Sequence, residues 1–177
     1  IKPWPSCRLS HPYVSAALAL REQLQVAGVR SMVVAVNASA AKLCAPLADR
    51  RRPRTLQDAK YSVPYMTAFT LVHGAVDLNT LHLDGLSDPA VLNVADRIEI
   101  AEILPDKPGH PPAEIHAVTT DGREIRVSAR DFDLSDDGVR AKFDACLAYA
   151  GRAQQADALW QCLDTLDEQR SLDFMFG

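Results

Sequence analysis

Two prolines at helix starts constrain the fold of this chain more than any other feature. Pro12 begins a stretch with apolar residues at three-to-four spacing, which predicts a helix over Pro12–Ala27 that Gly28 closes. Proline is tolerated in the first turn of a helix and breaks its interior, so this residue fixes where the helix begins. Pro64 has the same place in a second predicted helix, Val63–His73.

Strand patterns follow the first helix and fill the middle of the chain. β-branched and alternating apolar residues predict strands at Val29–Val36, after Arg97, at Ala113–Thr119 and at Arg123–Ala129. The last two flank a hairpin turn, and Ile115, Ala117, Ile125 and Val127 are predicted to share its apolar face. Two more helices are predicted over about 136–150 and 153–168. Together these elements predict an α+β fold, a single domain with a mainly antiparallel sheet packed against helices.

Composition excludes several classes of protein. The 177 residues carry a formal net charge of −4, which argues against a nucleic-acid partner. No run of about 18 apolar residues is present, so no membrane span is expected. The four cysteines form no C-x-x-C pair, and we expect reduced thiols, a cytoplasmic location, no metal and no cofactor.

Cationic and polar side chains gather in front of both proline-marked helices. Lys2, Arg8 and His11 precede the first helix, and Lys60 precedes the second, which carries Tyr65 in its first turn. Helix N-termini present unpaired N–H groups, and arginine and lysine add a grip on carboxylates. If the two starts converge, they form a pocket for a small polycarboxylate. The alternative is a solvated surface on which His11 merely caps its helix.

The stretches IKPWPSCRLSHP at residues 1–12 and AKYSVPY at residues 59–65 resemble the C-terminal domain of the MmgE/PrpD family. Asp88-Pro89, the strand after Arg97 and the Thr120-Asp121-Gly122 hairpin fit the same family, so the resemblance covers nearly the whole chain. The absence of an initiator methionine agrees with this, since we expect the chain to be the C-terminal part of a longer protein.

The resemblance implies a fold and an activity. The family contains 2-methylcitrate dehydratase, cis-aconitate decarboxylase and iminodisuccinate epimerase, which act on di- or tricarboxylates without an iron–sulfur cluster. Its members resemble one another in pairing an all-helical N-terminal domain with a smaller α+β lid, and they form homodimers. Residues 1–177 would be the lid alone, without the helical domain. The resemblance thus implies a cytoplasmic hydro-lyase of propionate catabolism whose isolated lid is inactive.

Two residues are expected to be catalytic because they match family motifs. Lys2 matches the lysine of the K-P-[YWF]-P motif, and Tyr65 matches the tyrosine of S-x-P-Y, both cleft-facing in the family. Lys2 would stabilise the developing charge or carry a proton, and Tyr65 would donate to a carboxylate or to the leaving group. The residues Pro3, Trp4 and Pro5 predict a partly desolvated Lys2 ammonium.

Arg8, His11 and Lys60 lie in the same motifs and are predicted to bind substrate. Cys7 stands where the decarboxylase has a histidine, which favours dehydration over decarboxylation. The decarboxylase and epimerase activities nevertheless stay open, as do a non-catalytic polycarboxylate-binding module and a purely structural domain.

Overall fold

The computed structural model of the chain describes residues 1–24, 28–106, 112–129, 134–168, 171 and 173. The chain divides into two compact units, the larger within residues 2–133 and the smaller within 134–177. The larger unit contains a sheet and most of the helices, and the described part of the smaller unit is helical.

The sheet of the larger unit has four strands in the order β2-β1-β3-β4. They are β1 (Val29–Val36), β2 (Ile98–Glu102), β3 (Ala113–Thr119) and β4 (Glu124–Ala129). β1 pairs antiparallel with β3, and β3 with β4, whereas β1 and β2 are parallel. The predicted α+β class is confirmed, but the sheet is mixed rather than purely antiparallel. The parallel pair arises because a long helical connection returns the chain to run beside β1 in the same direction.

The proline signals mark the starts of two helices. The first begins at His11, next to Pro12, and its predicted end at Ala27 lies outside the described residues. Pro64 lies in the first turn of its helix as predicted, and Gly74 ends that helix with a φ of 70°, a left-handed conformation that favours glycine. Short helices occupy the stretch before it, and one of them includes Arg50 and Arg51, the first two residues of the basic run at 50–54. The helices are α1 (His11–Leu24), α2 (Ala38–Ala41), α3 (Leu47–Arg51), α4 (Leu56–Lys60), α5 (Val63–His73) and α6 (Pro89–Ala95), with 3-10 turns at Arg8–Ser10 and Leu83–Ser87.

The core lies between the helical layer and one face of the sheet. α1 packs against α5 and against strands β3 and β4. The largest wholly buried side chains include Tyr13, Tyr65, Phe69 and Leu20. The predicted hairpin face is confirmed, since the side chains that form it are all buried: Ile115, Ala117, Ile125 and Val127.

The smaller unit contains α7 (Asp136–Tyr149) and α8 (Ala156–Asp164). Phe143 and Trp160 meet edge to face with ring centroids 5.3 Å apart, and Arg140 lies over the Trp160 ring at 5.1 Å. Arg140 also pairs with Asp144 and with Asp157, so one arginine joins the two helices. None of the helices in the described ranges of the chain is both long and apolar enough to cross a bilayer.

Candidate functional site

The opening loop is organised around one carbonyl group, that of Ser6. Lys2 Nζ donates a hydrogen bond to Ser6 O at 3.2 Å, and His11 Nε2 donates to the same oxygen at 3.3 Å. Trp4 meets the His11 ring edge to face, with ring centroids 5.3 Å apart. The first residues of the chain are therefore tied to the start of α1, because Lys2, predicted to be catalytic, and His11, predicted to bind substrate, share an acceptor.

Two serine hydroxyls form hydrogen bonds within the opening loop. Ser10 Oγ donates to Cys7 O at 2.7 Å, and Ser6 Oγ lies 2.9 Å from Ser10 Oγ. Because the Ser10 proton is used for Cys7 O, Ser6 is the donor in that pair. Both serines are buried, so these hydrogen bonds fix the backbone of the loop that carries Arg8, a residue whose side chain is exposed.

The two sequence motifs meet through a backbone hydrogen bond. Cys7 N donates to Lys60 O at 2.9 Å, which joins the opening loop to the end of α4. Ser62, two residues later, caps α5 by accepting from Tyr65 N at 3.1 Å. The expected convergence of the two loops is therefore present in the backbone. It brings Lys60, which is half-buried, to the loop that carries Lys2.

The backbone at the start of α5 has its N–H groups occupied. Val63 N donates to Leu43 O at 3.1 Å, Pro64 has no N–H, and Tyr65 N donates to Ser62 Oγ. These first three residues of the helix therefore present no N–H to an anion, although unpaired amides were the reason for expecting a site there. An anion near this helix start must be held by side chains.

His11 is wholly buried and neutral at neutral pH. Burial, together with the nearby charges of Lys2 and Arg8, lowers the pKa of the imidazole to about 4. His11 therefore contributes hydrogen bonds to the loop and no positive charge. By contrast the Lys2 side chain is exposed in the described chain, and its ammonium makes a partly buried hydrogen bond to Ser6 O.

Tyr65 is wholly buried, and its hydroxyl is engaged elsewhere in the fold. The phenol donates to Gly85 O at 2.9 Å, and the ring lies 6.0 Å from the ring of Phe69. Burial, and secondarily the Asp88 carboxylate, raise the pKa of Tyr65 to about 12. Within the described residues this hydroxyl makes no hydrogen bond to Lys2. The opening loop and Lys60 are thus joined by a hydrogen bond, whereas the Tyr65 hydroxyl is bonded to a different part of the fold, at Gly85 O.

Tyr13 provides a control for the role of the Tyr65 hydroxyl. Both rings are wholly buried, but the Tyr13 hydroxyl has no hydrogen-bond partner within the described ranges. We expect Tyr65→Phe to lower the free energy of unfolding by about 1–2 kcal/mol, because it leaves Gly85 O without its donor. Tyr13→Phe should be neutral or stabilising by up to about 1 kcal/mol, because it removes an unpaired buried hydroxyl. Urea unfolding of both variants measures the difference, and equal losses would contradict this assignment.

Arg50 is a residue that the sequence analysis did not single out. Its Nε donates to Ala45 O at 3.2 Å, and its Nη1 donates to Tyr61 O at 3.2 Å. In return, the carbonyl of Arg50 accepts the hydroxyl proton of Ser62. Arg50 therefore fixes the junction between α4 and α5. The only sequence signal for this role was its place in a basic run ahead of the second motif.

The larger unit thus has an α+β fold in which the cationic opening loop is hydrogen-bonded to the segment just before the N-terminus of the buried helix α5. Within the residues the structure describes, no three His, Cys, Asp or Glu side chains cluster as metal ligands would. The model of the MmgE/PrpD C-terminal domain matches residues 4–168, and the chain belongs to this family. The family is made up of hydro-lyase-like enzymes. No curated protein sequence is significantly similar to the chain.

Proposed function

We propose that the chain is the C-terminal lid domain of a carboxylate lyase resembling 2-methylcitrate dehydratase. It would eliminate water from a citrate-like tricarboxylate in a cleft shared with an N-terminal helical domain. Family membership supports the class of reaction. The observation that carries the site is the hydrogen bond from Cys7 N to Lys60 O, because it joins the two cationic motifs at 2.9 Å.

Lys2 is the principal charged group of the proposed site. Its ammonium has three donors, one of which is used on Ser6 O, so two remain for a substrate carboxylate. A base from the helical domain removes the proton next to this carboxylate, the electron pair forms the new double bond, and hydroxide leaves with a proton as water. The charge that spreads into the carboxylate during this step is stabilised by Lys2.

The other site residues have supporting roles in this proposal. Arg8 is exposed beside Lys2 and can grip a second carboxylate through two parallel hydrogen bonds. Lys60 adds charge from the α4 side, and neutral His11 holds the Ser6 carbonyl that orients Lys2. Tyr65 would act as a proton donor only by exchanging its bond to Gly85 O for one to substrate.

We further propose that the full-length protein is a cytoplasmic homodimer in propionate catabolism that needs no cofactor. The description of the matching family model as a C-terminal domain supports a longer natural chain with a helical partner domain. Decarboxylation of cis-aconitate and epimerisation of iminodisuccinate are the alternatives within the family. Cys7, which stands in place of a histidine of the decarboxylase, favours dehydration over decarboxylation.

An assay of the full-length protein tests this function. It is incubated with 2-methylcitrate, citrate and cis-aconitate, and formation of the unsaturated product and release of carbon dioxide are followed separately. We expect dehydration of 2-methylcitrate or citrate, and no turnover by the 177-residue chain alone. Release of carbon dioxide from cis-aconitate would show that the protein catalyses decarboxylation rather than dehydration. Binding of all three compounds without any reaction would show that the protein is a non-catalytic polycarboxylate-binding module.

A further inference from the structure

A second concentration of positive charge lies at the basic run before α4. A surface cavity of about 370 Å³ opens there, and it is lined by three arginines, two aspartates and two prolines between Pro46 and Asp58. We call it the arginine cavity. None of its lining residues is among the predicted site residues, so the proposed function does not account for it.

Two of the three arginines are held in place by neighbours. Arg50 donates to two backbone carbonyls, those of Ala45 and Tyr61. Arg52 pairs with the Asp96 carboxylate. These bonds fix the guanidinium groups at the cavity wall before any ligand arrives, which lowers the entropy cost of binding.

The third arginine is available to a ligand. Arg54 is exposed and, within the described ranges, its guanidinium makes no hydrogen bond and no ion pair. A guanidinium presents a planar fork of donors that fits two oxygens of a carboxylate or a phosphate. Arg54 is therefore the side chain best placed to grip such a group at the cavity.

The two aspartates differ in how strongly they oppose an anion. The Asp58 carboxylate accepts the Thr55 hydroxyl proton at 2.7 Å, while Asp58 N donates to Thr55 Oγ1 at 3.1 Å, so this side chain belongs to the cap of α4. The Asp49 carboxylate has no hydrogen-bond or ion-pair partner in the part of the chain that the structure describes, although the Asp49 carbonyl accepts from Arg52 N at 3.2 Å. Because Arg52 is already paired with Asp96, the positive charge available to an anion comes from Arg50, whose partners are neutral carbonyls, and from Arg54, and the Asp49 carboxylate weakens it.

We propose that the arginine cavity binds a small oxyanion, either a phosphate or a carboxylate group of a small molecule. Arg54 makes the bidentate contact, Arg50 supplies a fixed positive charge, and Arg52 offers the N–H donors that its pair with Asp96 leaves unused. The volume is sufficient for a group of this size, and the prolines at 46 and 53 stiffen the wall. The site is separate from the opening loop and goes beyond the proposed function. It is linked to the second motif only through the bond from Arg50 to Tyr61 O.

Titration of the 177-residue chain with inorganic phosphate and, in a second series, with succinate tests the proposal. Binding is measured by calorimetry and by amide NMR shifts at constant ionic strength in a chloride-free buffer. We expect saturable binding of at least one anion, with the largest shifts at residues 46–58. The tighter of the two anions identifies the oxyanion. Arg54→Ala should weaken binding by about fivefold or more, and Asp49→Asn should strengthen it by about two- to fivefold.

Two control variants test whether anion binding depends on the arginine cavity or only on the positive charge of the chain as a whole. Arg30→Ala removes an exposed arginine of β1, and Lys42→Ala removes an exposed lysine; neither residue lines the cavity. Both should change the affinity by less than about twofold. The proposal is overturned if neither anion binds, or if Arg30→Ala or Lys42→Ala weakens binding as much as Arg54→Ala. It is also overturned if Asp49→Asn leaves the affinity unchanged, a result that does not depend on how Arg54→Ala folds.

Discussion

Replacing Lys2 by alanine in the full-length protein should lower kcat/KM for the proposed dehydration by about 10²- to 10⁴-fold. The side chain is exposed and its amine uses one donor on Ser6 O, so the remaining donors can meet the carboxylate that takes up charge as the proton leaves. Removing this interaction costs more in the transition state than in the bound substrate, so kcat should fall further than KM rises. Steady-state kinetics on the best substrate measures both.

The same substitution should hardly affect the fold. In the 177-residue chain, Lys2→Ala removes one partly buried hydrogen bond, and we expect a change of less than about 1 kcal/mol in the free energy of unfolding. Lys2→Arg keeps the charge and should restore part of the activity. Lys42→Ala, which removes another exposed lysine, is the matched control and should keep full activity. Full activity of Lys2→Ala would exclude this residue from catalysis.

Local signals in the sequence were sufficient for much of the fold. The β1 strand (Val29–Val36) and the α5 helix (Val63–His73) have the predicted bounds, because a β-branched run defines the first, and a serine cap, a proline and a glycine define the second. The hairpin of β3 and β4 was predictable for the same reason. The short turn makes the two strands antiparallel, and in the observed register the alternating apolar residues lie opposite one another, Ile115 against Val127 and Ala117 against Ile125.

Features that depend on distant residues could not be predicted in this way. The parallel pairing of β2 with β1 depends on the path of the chain through five intervening helices, which no local pattern specifies. The short helix α4 (Leu56–Lys60) has only five residues and no apolar periodicity strong enough to reveal it. Thr55 can be recognised as the N-cap of this helix only from the hydrogen bond that Asp58 N donates to Thr55 Oγ1.

The candidate site was predictable as a set of residue types and not as a geometry. The motifs placed Lys2, Arg8, His11 and Lys60 near helix starts, and the backbone bond from Cys7 to Lys60 agrees with that grouping. However, the sequence could not show that Leu43 O would occupy an amide of α5, because that carbonyl lies 20 residues earlier in the chain. Nor could it show that burial removes the charge of His11.

His11 should make the stability of this chain depend on pH in a range where carboxylates contribute little. The pKa is about 4 in the folded chain and about 6.5 when unfolded. The unfolded state therefore takes up a proton as the pH falls from about 7 towards 4, while the folded state stays neutral. Stability is fully present above the unfolded pKa and falls on acidification. We expect a loss of about 2 kcal/mol in the free energy of unfolding between about pH 7 and pH 5.

Urea unfolding of His11→Gln at the same two pH values isolates this term. Glutamine can still donate to Ser6 O but does not titrate, so the variant should lose about 2 kcal/mol less than the wild type on acidification. His82→Gln is the matched control, because that histidine is exposed, and its pH dependence should equal that of the wild type. The charged groups facing His11 are the cations Lys2 and Arg8, which disfavour a second positive charge on the imidazole. If wild type and His11→Gln lose the same stability, the imidazole is not held neutral by burial, and its place as an uncharged support of the Lys2 loop is lost.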